Sequence, residues 1–159
     1  MRTHQKDYVF FISHSTKDIG DAIGEICKIF EECKIRSFFA DRDAPLGESL
    51  PDAIKKAIEA SQLFLVFITR HSRKSPWVNQ EIGYALGKEI PVIPIEKGMI
   101  KVKGLIESAK YVQMRDNPFS TVREIFSRLS GQPLSPEAQA AILAVVGILR
   151  LQKNSGGMT

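Results

Sequence analysis

Tyr8-Val-Phe-Phe-Ile12 and Leu63-Phe-Leu-Val-Phe-Ile68 are unbroken apolar runs of β-branched and aromatic residues, each too short to be a helix. A strand without polar alternation is buried on both faces, which requires a parallel sheet covered by helices on either side. The sequence between and after the runs fits that demand. Ile19, Ile23, Ile26, Phe30 and Cys33 recur at spacings of three and four, the period of a half-buried helix. Arg36 to Ala40 reads as a short second strand, and Asp41 to Ser49 as a loop punctuated by Pro45 and Gly47. Leu50, Ala53, Ile54, Ala57 and Ile58 mark a second helix that tolerates Pro51 in its first turn. The 63–68 run is the third and central strand.

Arg70 to Ser75 is a polar loop. Pro76 opens a third helix whose core face is Val78, Ile82, Ala85 and Leu86. Pro91 to Ile95 reads as a fourth strand placed near the sheet edge by its two prolines. Lys110 to Gln113 reads as a fifth strand, and Val122, Ile125, Phe126 and Leu129 as a closing helix. Strands alternating with helices imply right-handed crossovers and a three-layer α/β sandwich.

At 159 residues the chain suits one core-burying domain. We place it at residues 1–131, followed over 132–159 by a linker and an extra C-terminal helix. The segment Glu137 to Lys153 carries Ala138, Ile142, Val145 and Leu149 on one face and further apolar residues around it. Such a helix wants a partner, so the segment packs on the domain, forms a dimer seam or another partner-binding surface, or starts a further domain.

The balance of 22 basic and 18 acidic residues is a mild +4 with no basic block, only a weak hint of nucleic acid or acidic membrane; scattered Lys and Arg with no aromatic platform argue against nucleic acid as a partner. Cys27 and Cys33 lie more than a turn apart on one helix, poorly placed for a disulfide, and His4, His14 and His71 are scattered, so no metal site is expected. The N-terminus lacks the apolar stretch of a secretory signal, and Ala140 to Leu149 is about half of a bilayer span. The expectation is a soluble, cytoplasmic protein with no membrane partner.

In open parallel sheets ligands bind beyond the carboxyl ends of the strands, where strand order reverses. With strand 1 between strands 2 and 3, that place is reached by Ser13 to Asp18, the 41–49 loop, and the chain from Thr69 into the third helix. No GxxxxGK[ST] loop, GxGxxG fingerprint or GxSxG elbow occurs. A phosphoacceptor aspartate would stand where the chain has Thr69. What remains is Trp77-Val-Asn-Gln-Glu81, whose Trp77 and Glu81 share a helix face. That face is offset from the Val78–Ile82 stripe, which puts the pair at the rim of the crevice. The same spacing also suits an exposed glutamate favoured by the helix dipole beside a half-buried tryptophan.

Three segments together resemble a TIR (Toll/interleukin-1 receptor homology) domain of the bacterial and archaeal, NAD-cleaving type. Tyr8-Val-Phe-Phe-Ile-Ser-His-Ser-Thr-Lys-Asp18 resembles the family's first box. Asp41-Arg-Asp-Ala-Pro-Leu-Gly-Glu-Ser-Leu50 resembles its BB loop, and Ser75-Pro-Trp-Val-Asn-Gln-Glu81 resembles the motif that holds a catalytic glutamate. The resemblance implies a flavodoxin-like sandwich with a five-stranded parallel sheet in the order 2-1-3-4-5. It also implies NAD⁺ nucleosidase activity, with Glu81 catalytic and Ser13, His14, Ser15, Arg42 and Trp77 against the substrate. NAD⁺ is then the substrate, no separate cofactor is needed, and homotypic TIR–TIR assembly is the expected partnership. Pro76 stands where many members have cysteine, which suits a helix start.

A non-catalytic TIR adaptor that self-associates through the 41–49 loop is the alternative, and a nucleoside deoxyribosyltransferase fits less well. Prokaryotic members often serve in antiviral defence, others in virulence. Among neighbouring residues, His14 reads as a hydrogen-bonding loop residue. Lys17 and Asp18 read as first-turn helix residues behind a Thr16 N-cap. Arg70, His71, Arg73 and Lys74 read as a solvated loop that is also able to meet a pyrophosphate.

Overall fold

The structure is a computed structural model that describes residues 8–18, 22–33, 35–39, 50–98 and 111–129, with Pro136, Gln139, Ala140 and Gly147. Five parallel strands form one sheet: β1 (Tyr8–Ser13), β2 (Ser37–Phe39), β3 (Ser61–Ile68), β4 (Val92–Glu96) and β5 (Val112–Gln113), in the order β2-β1-β3-β4-β5. Four helices alternate with them: α1 (Ala22–Glu32), α2 (Asp52–Glu59), α3 (Pro76–Gly87) and α4 (Pro118–Leu129). This is the flavodoxin-like order expected from the sequence, with strand order reversing between β1 and β3.

The two apolar runs are buried on both faces, and from Phe10 to Ile12 and from Leu63 to Ile68 successive residues feed different cores. Phe10, Ile12, Leu63, Leu65 and Phe67 join α1 and α4 in one core, whose helical members include Ile26, Phe30, Val122 and Phe126. Phe11, Phe64, Val66 and Ile68 join α2 and α3 in the other, with Ile58, Val78, Ile82 and Ala85. Phe11 lies between Phe38 and Phe64, with ring centroids 5.5 and 5.2 Å away. On the opposite face Phe10 packs on Phe30 at 5.3 Å.

Several boundaries differ from the sequence reading. The chain after β1 does not run straight into a helix: Thr16–Asp18 is a separate 3-10 turn. β4 starts at Val92 because Pro91, just before it, contributes only its carbonyl, which accepts from Phe64 N–H at 2.9 Å. β4 lies near the edge, as its prolines implied. β5 lies outside it but pairs only Ile95 and Glu96, so Pro94 precedes the stretch where a second neighbour draws on β4. α4 starts at Pro118, four residues before the first periodic apolar position, because Asn117 Oδ1 accepts from Phe119 N–H at 2.8 Å and proline suits a first helical position. The expected linker and C-terminal helix lie outside the described residues apart from four positions, all helical and exposed. Among the described residues no helix is long and apolar enough to cross a membrane.

Cys27 and Cys33 are free thiols packed against the α1/α4 core. Burial first, and the Glu31 carboxylate second, push the Cys27 thiol from 9.0 up to about 12. Burial and Glu32 also raise Cys33. At pH 8 the native protein should therefore react with iodoacetamide more slowly at Cys27 than at Cys33, and denaturant should erase the difference; peptide mass spectrometry reads both sites. Because the folded Cys27 thiol ionises later than the unfolded one, its contribution to stability is intact below pH 9 and is lost as pH rises towards 12.

Candidate active site

At the carboxyl end of the sheet, β1 delivers Ser13, His14 and Ser15, and β3 delivers Thr69 and the 3-10 turn Ser72–Lys74. Ser13 and Val66 are register partners, so the two strands leave the sheet side by side before their crossovers diverge. Ser75 then caps α3, its Oγ accepting from Val78 N–H at 3.3 Å, with Pro76 at the first helical position.

Both loops are pinned by one buried network. Thr69 Oγ1 donates to Asp18 Oδ2 at 2.6 Å, tying the chain after β3 to the chain after β1. The same Oγ1 accepts from Ser72 N–H at 3.0 Å, and Thr69 N–H donates to Ser72 Oγ at 2.8 Å. On the β1 side Ser15, rather than Thr16, opens the turn: its carbonyl accepts from Asp18 N–H at 3.0 Å and its Oγ from Lys17 N–H at 3.3 Å. His14 Nδ1 lies 3.0 Å from the Ser15 carbonyl, which can only accept, so Nδ1 carries the proton. His14 is thus a loop-fixing residue, as expected. Asp18, read from sequence as a first-turn helix residue, sits instead in the 3-10 turn and is buried at 4% exposure. A hydroxyl and a carboxylate at the ends of adjacent strands were visible in the sequence, but only the strand order makes them partners. Thr69→Val removes the donor and leaves the buried carboxylate short of a bond, so we expect a loss of about 1–3 kcal/mol in chemical denaturation.

These walls enclose a cleft of about 500 Å³, within the usual size range of small-molecule sites. Ser15, Thr16 and Lys17 form one side, Arg70, His71 and Lys74 the other, and Ser75, Pro76 and Trp77 the floor at the start of α3. Arg73 does not line it; its carbonyl accepts from Asn79 Nδ2. A second hollow of about 600 Å³ between α1 and the start of α4, bordered by Glu25, Lys28, Asp116 and Phe119, meets none of the strand-end residues. Among the described residues no group of three or more His, Cys, Asp or Glu side chains gathers where a metal ion could be held.

Of the residues singled out in the sequence, Ser15 and Trp77 line the cleft. Ser13 and His14 are buried at the β1 end, and Ser13 Oγ has no hydrogen-bond partner among the described residues. Arg42 and the 41–49 loop lie outside the described residues. Glu81 corrects the expectation of a rim position, and the exposed, dipole-favoured alternative with it: it is 0% exposed. The reason is in the helix periodicity. Val78, Glu81, Ile82 and Ala85 are all buried, and they stand at i, i+3, i+4 and i+7. Glu81 therefore completes the apolar stripe that faces the sheet, while Trp77, one turn earlier, stays half-buried at the cleft.

Comparison with known proteins gives four likenesses. A sequence model of the TIR domain matches residues 10–129. The protein named "Probable 2' cyclic ADP-D-ribose synthase TcpO" of Methanobrevibacter olleyae is 28% identical over 78 residues, a stretch covering 49% of this chain and 23% of that relative's length. In three dimensions the chain resembles the TIR domain of the Toll-related receptor TRR-2 from Hydra magnipapillata, with a TM-score of 0.60 at 22% identity, over 79% of this chain and 96% of that one. It also resembles the TIR domains of the activated Roq1 resistosome, with a TM-score of 0.50 at 18% identity, over 90% and 84% of the two chains. At these identities the structural likeness is one of fold.

Proposed function

Since this chain belongs to the TIR domain family, we propose that it is an NAD⁺ nucleosidase in which Glu81 promotes cleavage of the nicotinamide–ribose bond. The observation that carries the reading is Glu81 itself. A carboxylate in the middle of an apolar helix stripe costs desolvation energy and departs from the pattern of its neighbours, and such departures concentrate at functional sites. It lies one turn beyond Trp77, which lines the cleft at the switch point of the sheet.

The chemistry asks for little more. Nicotinamide in NAD⁺ is a cationic leaving group. As the C1'–N bond breaks, its electron pair goes to the ring nitrogen and nicotinamide departs neutral, so no general acid is required. The ribosyl oxocarbenium ion left behind needs a preorganised negative charge and a hold on the ribose hydroxyls, and one carboxylate supplies both. This is why one glutamate suffices where glycosidases use two. Trp77 offers a face for stacking the nicotinamide or adenine ring and excluding water. Ser13, His14, Ser15 and Arg42 complete the proposed contacts. Water capture of the cation, with loss of a proton, gives ADP-ribose; capture by a nitrogen or hydroxyl of the same molecule gives a cyclic isomer. The TcpO likeness favours the cyclic product. NAD⁺ is the substrate, and the proposal includes no separate cofactor; its setting is the cytoplasm, where NAD⁺ is held.

Glu81 is closed to solvent in the single chain, so turnover needs the site to open, and we assign that step to homotypic association. The assembled TIR domains of the Roq1 resistosome support this part of the reading. Nicotinamide release should then rise more steeply than linearly with protein concentration, or appear when the chain is artificially clustered. Chromatography of the products is the test: release that Glu81→Ala abolishes supports the reading. If no condition yields nicotinamide while light scattering shows assembly, the adaptor alternative replaces it.

A further inference from the structure

We infer that the basic side of the cleft, formed by Lys17, Arg70 and Lys74, is a diphosphate subsite that selects nucleotides carrying a diphosphate over free nucleosides. The inference rests on reading the cleft as the dinucleotide site, and it assigns a group of that ligand to residues the cleavage chemistry does not use. Among the described residues the cleft lining holds three permanent cations and His71 but no carboxylate. Two other concavities among the described residues mix both signs: Glu25, Glu32 and Asp116 stand beside Lys28 in one, and Asp116 and Glu124 beside Arg115 and Arg123 in the other.

Pairing tells the same story. Arg115 is held by Glu124 at 2.9 Å and Lys88 by Glu59 at 3.2 Å. Among the described residues no ion pair engages Lys17, Arg70 or Lys74. Three like charges around one hollow repel each other until an anion enters, and an arginine fork matches phosphate oxygens in a bidentate way.

The cations are also carried on a fixed frame. Arg70 and Lys74 flank Ser72, whose backbone N–H and side chain are both engaged by buried Thr69, and Thr69 in turn is tied to Asp18 one residue past Lys17. One buried network thus sets the spacing between the two cationic walls, so little ordering is left to be done on binding. Trp77 in the same lining gives an aromatic face for a ring attached to the diphosphate.

Trp77 is the only tryptophan in the chain, so intrinsic fluorescence reads occupancy of this cleft directly. The wild-type chain is titrated with ADP-ribose, inorganic pyrophosphate and adenosine at two salt concentrations. We expect saturable binding of ADP-ribose at least about tenfold tighter than adenosine, displacement of ADP-ribose by pyrophosphate, and weakening with salt. The double variant Arg70→Ala/Lys74→Ala should lose at least about tenfold in ADP-ribose affinity with adenosine unchanged. Both positions are exposed, so the fold should be unaffected, and Lys28→Ala on the far hollow should bind as wild type. Equal affinities for ADP-ribose and adenosine, or a double variant that binds ADP-ribose as wild type does, would overturn the subsite. Nicotinamide release reports separately: rim-dependent ADP-ribose binding without any cleavage sustains the subsite and removes the nucleosidase reading, whereas cleavage at unchanged KM in the double variant does the reverse.

Discussion

Glu81→Gln is expected to lower nicotinamide release by on the order of 100- to 1000-fold, the loss typical when one preorganised electrostatic group is removed from a reacting centre. Glutamine keeps the volume and the hydrogen-bonding length of the side chain but carries no charge, so the oxocarbenium ion loses its counter-charge while the packing beside Val78 and Ile82 is preserved. The two side chains are close to isosteric, so the substitution tests the charge rather than the shape. Lower activity with substrate binding retained is the signature of a functional carboxylate; activity and binding lost together with a lower melting temperature would mark Glu81 as structural. Substrate binding, read by Trp77 fluorescence, should change far less than turnover, since the charge matters most when the cation has formed.

Phe64→Ala should be the most damaging single change to the fold, costing about 3–5 kcal/mol. Phe64 is fully buried in β3, stacks on Phe11 with an interplanar angle of 6°, and faces the α2/α3 core. β3 is paired on both sides, so the cavity is walled by β1, β4 and two helices and has little freedom to collapse. Against a total stability of about 5–15 kcal/mol the loss is large, and a urea midpoint measurement should show it plainly. Phe119, 36% exposed at the start of α4, is the contrast: its alanine variant should stay within about 0.5 kcal/mol of wild type.

The sheet was readable because Phe10, Phe11, Leu65 and Val66 offer no polar alternation, and a strand buried on both faces admits few architectures. The crevice followed from topology before any residue in it was assigned a role. What escaped the sequence was mostly a matter of polar residues whose partners are distant in the chain. Asp18 and Thr69 are 51 positions apart, and no local pattern marks their bond. Asn117 with Pro118 was a helix-start pair that the apolar period at Val122 overshadowed. Glu81 is the instructive case. Pairing it with Trp77 at four residues placed it on the rim, whereas its spacing to Val78, Ile82 and Ala85 places it in the core stripe. The sequence reading kept Glu81 as the candidate but at the rim; its departure from the apolar stripe is what marks its buried place.

The most direct measurement of the central claim follows binding and turnover in one sample: NAD⁺ is added to wild-type and Glu81→Gln protein at matched, assembly-promoting concentration, with Trp77 fluorescence and free nicotinamide recorded together. Saturable quenching in both proteins with nicotinamide released only by the wild type is the expected result. Nicotinamide released at equal rates by both, or NAD⁺ binding that leaves Trp77 unaffected, would contradict the assignment of this cleft and this glutamate.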